Sequence, residues 1–449
     1  MTNLHLPQPS QSHKKYLALN VARRKPSASK LFLTLIIATI FATIQVSITR
    51  RGYGDYQLDF ENALKVMVAT LGITLLSYNF IFKRIHPNMP LILAMLYFFI
   101  CLMISPFSNH FFYSAGTLYL YIGLLATILA ASSTFTLSEL TEIIKYTALA
   151  LIFSSWAFYI LDFEFAKLEY FILGSPQRGT RLSGVAGHAY PMAIVSASAS
   201  LIAFISLMRR QKRLLSAIVF LIGLTTILAT DTRGVLFSLI ISCAAYYFLA
   251  RDRLISLAIA ATIFVLVFGA LLFSPIDLFS LQRFSRSGTI SELSTLAGRI
   301  PLWQEIMGLI AERPMFGYGF NESRSVLPAT YISAGGWIAP HAHNFILQSL
   351  LNSGTVGTIF LCSAILLAFL NALRFRQNSI VAILVFVCIN GLLSSSPLGL
   401  TPDFNTLLLF VSLVCSGRNS ACGLRSRKAT MIYGKEAELI VRQSTKRRL

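Results

Sequence analysis

Charge is what this 449-residue chain has least of: 12% of its residues are Asp, Glu, Lys or Arg, against 55% hydrophobic. Soluble globular chains carry about 25% charged residues, so a water-soluble enzyme of two or three domains is excluded. Acids are the scarcer sign, 18 against 38 Lys and Arg, leaving a net charge of +20. There are 6 cysteines, with no C-x-x-C and no paired spacing. Cys101, Cys243, Cys362, Cys388 and Cys415 fall in apolar runs and Cys422 in a basic tail, so they read as small buried residues and not as a disulfide framework or metal site. Walker loops, G-x-G-x-x-G and tandem repeats are also missing.

What the chain has is apolar length. Crossing hydrocarbon as a helix takes roughly 20 apolar residues. Twelve segments qualify, at about 31–49, 62–82, 89–105, 113–133, 143–161, 189–208, 214–230, 234–250, 254–274, 344–370, 379–396 and 402–416. The predicted class is therefore all-α: a polytopic membrane protein of about 12 transmembrane helices. The expected organisation is a basic cytoplasmic segment at 1–30, helices 1–9 over 31–274, a large structured extracytoplasmic loop at 275–343, helices 10–12 over 344–416, and a basic cytoplasmic tail at 417–449. The first 30 residues are polar and basic, and no small-residue cleavage site follows the first run, which argues against a cleaved signal peptide. With both termini cytoplasmic, 26 of the 38 basic residues and 5 acids fall inside, a net of +21, and the outer face nets −1. The positive-inside rule accounts for all of the excess, and no nucleic-acid partner is needed to explain it.

Two outer loops are long, 162–188 and 275–343, and loops of that length carry structure or function. The second is expected to hold a helix from Pro301 to Glu312, with Ile300, Trp303, Ile306, Met307 and Ile310 as an apolar stripe and Arg313-Pro314 ending it. Phe316-Gly317-Tyr318-Gly319-Phe320 reads as a tight turn exposing aromatics.

Four polar constellations fall on the outer side: Arg178-Gly-Thr-Arg181 with His188, Asp231-Thr-Arg233-Gly234, Gly298-Arg299 with Trp303, and His341-Ala-His343-Asn344. Three of them precede helices whose N-termini face outward, where partial positive charge and free N–H groups favour phosphate. Arginine adds a bidentate grip on phosphate oxygens. The implied ligand is a lipid-linked phosphate or diphosphate at the outer membrane boundary. A plainer reading stands beside each: Arg233 pairs with Asp231, itself a good N-cap; Arg178 and Arg181 touch headgroups; Arg299 is a solvated helix start; His188 is structural. His341 and His343 have no third ligand at metal spacing, and Asp162-Phe-Glu164 is a lone acidic pair. No metal and no cofactor is expected.

Taken together the constellations resemble the O-antigen ligase / Wzy-type polymerase family of membrane glycan transferases. His343-Asn344, nine residues, then Gly354-Thr-Val-Gly357 is similar to that family's His-(Asn/Ser/Gln)-x9-G-x-x-G. Arg299, Trp303, Pro314 and Gly317-Tyr-Gly319 resemble its R…W…P-x-x-G-x-G, and Thr232-Arg233-Gly234 its S/T-R-G. The similarity spans about residues 175–375. It implies metal-independent, inverting transfer of a glycan from an undecaprenyl-diphosphate carrier to an acceptor hydroxyl of lipid A–core or another glycan, at the periplasmic face of the bacterial inner membrane. His343 would be the general base, with Arg233 and Arg299 holding the diphosphate as catalytic cations. Arg181, Arg178, His341, Asn344, Trp303 and Tyr318 would contact substrate. Trp303, Tyr318, Phe320, Tyr331 and Trp337 are candidate sugar-stacking faces or an interfacial belt.

Two alternatives stay open. A Wzy-type O-antigen or exopolysaccharide polymerase shares the donor chemistry and differs only in acceptor. A secondary transporter also suits twelve spans, but the sequence has neither the internal repeat nor the midplane ionisable residues typical of one.

Overall fold

The computed structural model describes residues 28–48, 59–82, 87–171, 178–251, 299–332, 338–394 and 396–418. Within them the chain is mostly helical: α1 (Ala28–Gln45), α2 (Phe60–Phe82), α3 (Met89–Ile104), α4 (Phe111–Ser132), α5 (Leu137–Ile160), α6 (Ala189–Met208), α7 (Arg213–Ala229), α8 (Arg233–Ala250), α9 (Arg299–Glu312), α10 (Ser323–Thr330), α11 (Phe345–Arg374), α12 (Asn378–Leu393) and α13 (Phe404–Cys415). Eight of these are long and apolar enough to cross a membrane, namely α1 to α6, α8 and α11; α7, α12 and α13 are shorter apolar helices. The span expected at 254–274, residues 275–298 of the large loop, Trp337 and the two basic termini before 28 and after 418 lie outside the described residues.

Caps explain where several helices begin. Thr136 and Glu139 form a reciprocal capping box ahead of α5, Asn88 caps α3 and Asp403 caps α13 with its carboxylate. The bundle is centred on α6, which packs against α5, α7, α8 and α13. Its face is made of small residues, including Ala193, Ser196, Ala197 and Ser200, all fully buried. Small side chains let helices approach closely where no hydrophobic effect drives them together. The same device recurs between α2 and α4, where a Cβ on Gly123 would sit 2.4 Å from that of Ala69. Every residue of α13 is buried, while α1 and α2 bury only 28% of their apolar windows.

Four expectations are corrected. The first concerns the all-α class: Lys167–Phe171 (β1) and Arg178–Leu182 (β2) form an antiparallel hairpin in the 162–188 loop, which the apolar-run reading of that loop did not anticipate.

The second is the single span expected at 344–370. α11 is broken at Gly354, whose φ 61°, ψ −163° is a backbone conformation essentially restricted to glycine. The break leaves helical N–H and C=O groups without intrahelical partners, and the Pro314–Gly319 loop supplies them. Tyr318 N–H donates to Leu351 O (2.7 Å) and Gly319 N–H to Asn352 O (3.2 Å), while Pro314 O and Met315 O accept from Thr355 N–H (2.8 Å) and Val356 N–H (3.3 Å). Gly317, at φ 66°, lies against this junction, where an added Cβ would come 2.5 Å from Leu351 O. The P-x-x-G-x-G and G-x-x-G motifs are thus two sides of one backbone contact.

The third correction is the stripe of α9. The buried residues are Leu302, Ile306 and Leu309, with Trp303 and Ile310 packed at their edge, while Ile300 and Met307 are exposed. Inclusion of Leu302 and Leu309 rotates the apolar face by part of a turn. The fourth is the glycine turn: of its aromatics only Phe316 is exposed, Phe320 being fully buried against Phe98 and Tyr121.

Candidate functional site

A cavity of about 860 Å3 opens at one end of the bundle. The helix ends lining it are the C-termini of α1 and α12 and the N-termini of α2, α4, α6, α8, α11 and α13, with α9 and α10 beside them. Such a set meets on one side only when successive spans run antiparallel. Among the expected site residues, Arg181, Arg233, Arg299, His341 and His343 line it, together with His188. Trp303, Tyr318 and Asn344 are not among its lining residues, and Arg178 is described only as the first residue of β2.

Arg233 is the first residue of α8. Its Nε lies 3.8 Å from Asp231 Oδ1, with 55% of the Arg233 side chain still exposed. Pairing with Asp231 and presentation to the cavity are therefore compatible, which joins the two readings of the T-R-G motif. Asp231 does not cap α8 as expected. It takes φ 45° in the turn, and Thr232 occupies the cap position without a side-chain cap bond. The turn is held from β2: Arg181 Nε donates to Thr230 O (2.7 Å), and its Nη2 to Asp231 O (3.2 Å) and Thr232 Oγ1 (3.0 Å). Much of the Arg181 guanidinium is thereby committed to the backbone that carries Arg233.

The histidine side is built from α9 and α11. Asn344 caps α11, its Oδ1 accepting from Ile346 N–H (2.9 Å) and Leu347 N–H (3.2 Å); this local duty explains an amide directly after His343. His343 itself takes φ 50°, a left-handed conformation uncommon for a residue with a Cβ. Its N–H donates to His341 Nδ1 (3.4 Å), and the two rings stand 4.1 Å apart, centroid to centroid. Trp303 Nε1 donates to Ala342 O (2.9 Å), so the indole braces the histidine loop from behind. Tyr318 is turned toward α9, its hydroxyl donating to Leu309 O (3.0 Å) and contacting Glu312 Oε2 (2.8 Å), with Arg313 over its ring.

Burial, then the charges of its neighbours His188 and Arg299, pulls His341 down to about 4. Burial likewise holds His343 well below the ordinary imidazole value, with His341 and Arg299 adding to the effect. Both rings are neutral at pH 7, the form that can accept a proton.

Several lining residues escaped the sequence reading: Lys65, Tyr113, Tyr190, Arg324 and Asp403. Lys65 left a signal, a cation inside an apolar run, where ionisable groups mark function by default. It is 3% exposed and pairs with Glu61 at 2.7 Å. Arg324 on α10, 7% exposed, donates to Tyr113 Oη (3.1 Å), a contact between positions 211 apart that no spacing rule reveals. Asp403 spends its carboxylate on Thr406 N–H (2.9 Å) and Ser396 Oγ (2.6 Å). With five cationic side chains and one carboxylate on its wall, the cavity suits an anionic ligand. Asp162 and Glu164 are not on that wall, and Asp162 pairs with Lys167.

Comparison of the chain with curated proteins finds no match. Residues 217–362, about a third of the chain, match the family model for O-antigen ligase; this stretch includes Arg233, Arg299, His341 and His343, and over it the chain is similar to that family.

Proposed function

We propose that this protein is a periplasm-facing glycosyltransferase of the bacterial inner membrane, with both termini cytoplasmic. It moves a glycan from an undecaprenyl-diphosphate carrier to a sugar hydroxyl of lipid A–core, as an O-antigen ligase. The observation that carries this reading is a shared cavity wall: Arg233, Arg299 and His343, from α8, α9 and the start of α11, line the same 860 Å3 space. A carrier diphosphate binds at the guanidinium groups while its prenyl chain stays in the bilayer. The acceptor oxygen attacks the anomeric carbon from the face opposite the diphosphate, inverting it. That bond forms as the carbon–oxygen bond to the diphosphate breaks, with its electron pair leaving on the phosphate. The hydroxyl proton passes to neutral His343.

Negative charge grows on the diphosphate as the bond breaks, so fixed cations bind the transition state more tightly than the ground state. They take the place of a divalent ion, and the reaction is metal-independent in this reading. The remaining site residues have supporting parts: Arg181 holds the Arg233 turn, Trp303 and Asn344 hold the histidine loop, and His341 supplies the hydrogen-bond acceptor beside His343.

The test is transfer by purified protein from undecaprenyl-diphosphate-linked glycan to lipid A–core, run in EDTA. His343→Ala is expected to lower turnover about 10²–10⁴-fold while leaving insertion intact. A wild-type rate in that variant would remove the general base from this reading, and collapse of the wild-type rate in EDTA would remove its metal independence. Accumulation of single-repeat lipopolysaccharide in a deletion strain, instead of unattached polymer, would make the protein the polymerase.

A further inference from the structure

His343 is held in an uncommon backbone conformation, and the residue before it is fixed at both of its backbone polar atoms. Ala342 is fully buried. Its carbonyl accepts from Trp303 Nε1 (2.9 Å) and its N–H donates to Gln348 Oε1 (3.0 Å). Gln348 is itself fully buried on the first turns of α11. Its Nε2 donates to Ser323 Oγ (3.0 Å) at the start of α10 and to Asn352 Oδ1 (2.9 Å), one turn further along α11. Asn352 Oδ1 also accepts from Asn321 N–H (3.1 Å).

The chain of bonds has a single direction. Ala342 N–H and Asn321 N–H are backbone donors, so each must meet an amide oxygen. That fixes the orientation of Gln348 and of Asn352, and leaves Gln348 Nε2 pointing at Ser323 and Asn352. The bonds around Gln348 resist rotation, because turning its amide would strand Ala342 N–H in low dielectric; Asn352 Nδ2, by contrast, is buried without a hydrogen-bond partner among the described residues. Asn344, Gln348 and Asn352 recur every fourth residue on one helix face, and each is spent on a different part of the histidine loop or its support.

We propose that Gln348, working with Trp303, is a positioning residue for the His343 imidazole. The two side chains grip the two peptide units that flank Ala342, one at its N–H and one at its carbonyl, and so set where the imidazole stands relative to Arg299 and the acceptor hydroxyl. The inference rests on His343 being the general base. It assigns Gln348 no contact with substrate, since Gln348 is not on the cavity wall.

The test uses the full-length protein in phospholipid nanodiscs with undecaprenyl-diphosphate-linked glycan and lipid A–core. Gln348→Met keeps the volume and removes both bonding ends. It is expected to lower kcat about 10²-fold, the cost of displacing a catalytic group by about 1 Å, with the donor KM within about threefold of wild type because the arginine side is untouched. Trp303→Phe keeps an aromatic ring against the Leu302, Ile306 and Leu309 cluster and removes the Nε1–H donor, and a loss of the same order is expected. The double variant is expected within about threefold of the weaker single, because both grips act on one residue, Ala342. Gln348→Glu keeps an oxygen for Ala342 N–H and adds a buried charge near the histidines, moving the acid limb of the rate profile to higher pH. That shift reports the added charge whatever Gln348 does; the positioning role is read from kcat, expected above that of Gln348→Met because the acceptor for Ala342 N–H is kept.

Wild-type kcat in Gln348→Met, or losses that multiply in the double variant, overturn the proposal; if Gln348→Met fails to insert, Trp303→Phe and Gln348→Glu decide it. His343→Ala separates the two claims. If it is inactive while Gln348→Met and Trp303→Phe turn over normally, only the positioning role falls. If it turns over normally, the general base is removed from the functional reading and the positioning role falls with it.

Discussion

On one side of the cavity His343 stands on a loop gripped at Ala342 O, Ala342 N–H and the Asn344 cap, with supporting amides fully buried behind it. On the other side Arg233 stands at a helix start with more than half its side chain exposed, opposite one carboxylate at 3.8 Å. On the proposed reading the difference follows from the task given to each group. A proton acceptor must meet one hydroxyl in one direction, so its backbone is locked and its ring dehydrated. A cation that grips a diphosphate works through a long-range field and forked donors, and it keeps working when it moves with a substrate on a flexible lipid chain.

The comparison can be broken most severely at Gly354. An added Cβ there would lie 2.3 Å from Met315 C and O, at a backbone angle that costs about 1–3 kcal/mol in other residues. Gly354→Ala is expected to unseat the Pro314–Gly319 loop and with it the support of the histidine side. The readout is loss of monodisperse protein on detergent size-exclusion or a fall of many degrees in the melting temperature. Next in size, Arg299→Ala and Arg233→Ala are each expected to cost about 10²–10³ in kcat, the usual effect of removing one donor aimed at developing charge. The difference between them sharpens the contrast. Arg299 lies close enough to lower both histidines, so its removal is also expected to move the acid limb of the pH profile upward, whereas Arg233→Ala leaves that limb unchanged.

The pH profile gives a smaller effect with a definite sign. Burial lowers His343, so its neutral form persists below the ordinary imidazole value of about 6.5. The acid limb of kcat/KM, which reports the free enzyme, is expected below pH 6.5. The limb of kcat is expected at higher pH, because a bound diphosphate stabilises the imidazolium. Coincident limbs at or above 6.5 would mean the ring is not held neutral. Smallest of all is Gly234→Ala. Its Cβ would meet the Leu393 side chain, at 3.3 Å from Cδ1 and 4.0 Å from Cβ; that side chain is able to shift, so a stability change of under about 1 kcal/mol is expected by thermal denaturation. Two motif glycines of equal rank in the sequence thus predict very unequal losses.

Of the spans within the described residues, the helices start and end within a few residues of the apolar runs, except α5, which starts at Leu137 where the run suggested 143. The capping box at Thr136 and Glu139 is a start signal that hydropathy alone overlooks. The T-R-G, H-x-H and Arg299 positions reach one cavity, so their types and order were legible. The parts taken by Trp303, Tyr318 and Asn344 were not, because side chains in helices and caps are spent on whichever backbone group comes near. Tyr318 meets α9 and Trp303 meets Ala342 across gaps of 9 and 39 residues.

By itself the amino-acid sequence determined that this chain is a bundle of apolar helices, with its excess positive charge on the segments assigned to one side and its arginines and histidines at the helix ends of the other. Those are properties of composition, run length and order, which act locally or against the membrane as a solvent. Only the tertiary structure decided that Arg324 and Lys65 join the same wall, that α11 breaks at Gly354, and that Gln348 reaches back to the backbone N–H of Ala342. Each of these depends on a backbone or side-chain polar group finding its partner at hydrogen-bond distance, and that distance is set by how the helices pack.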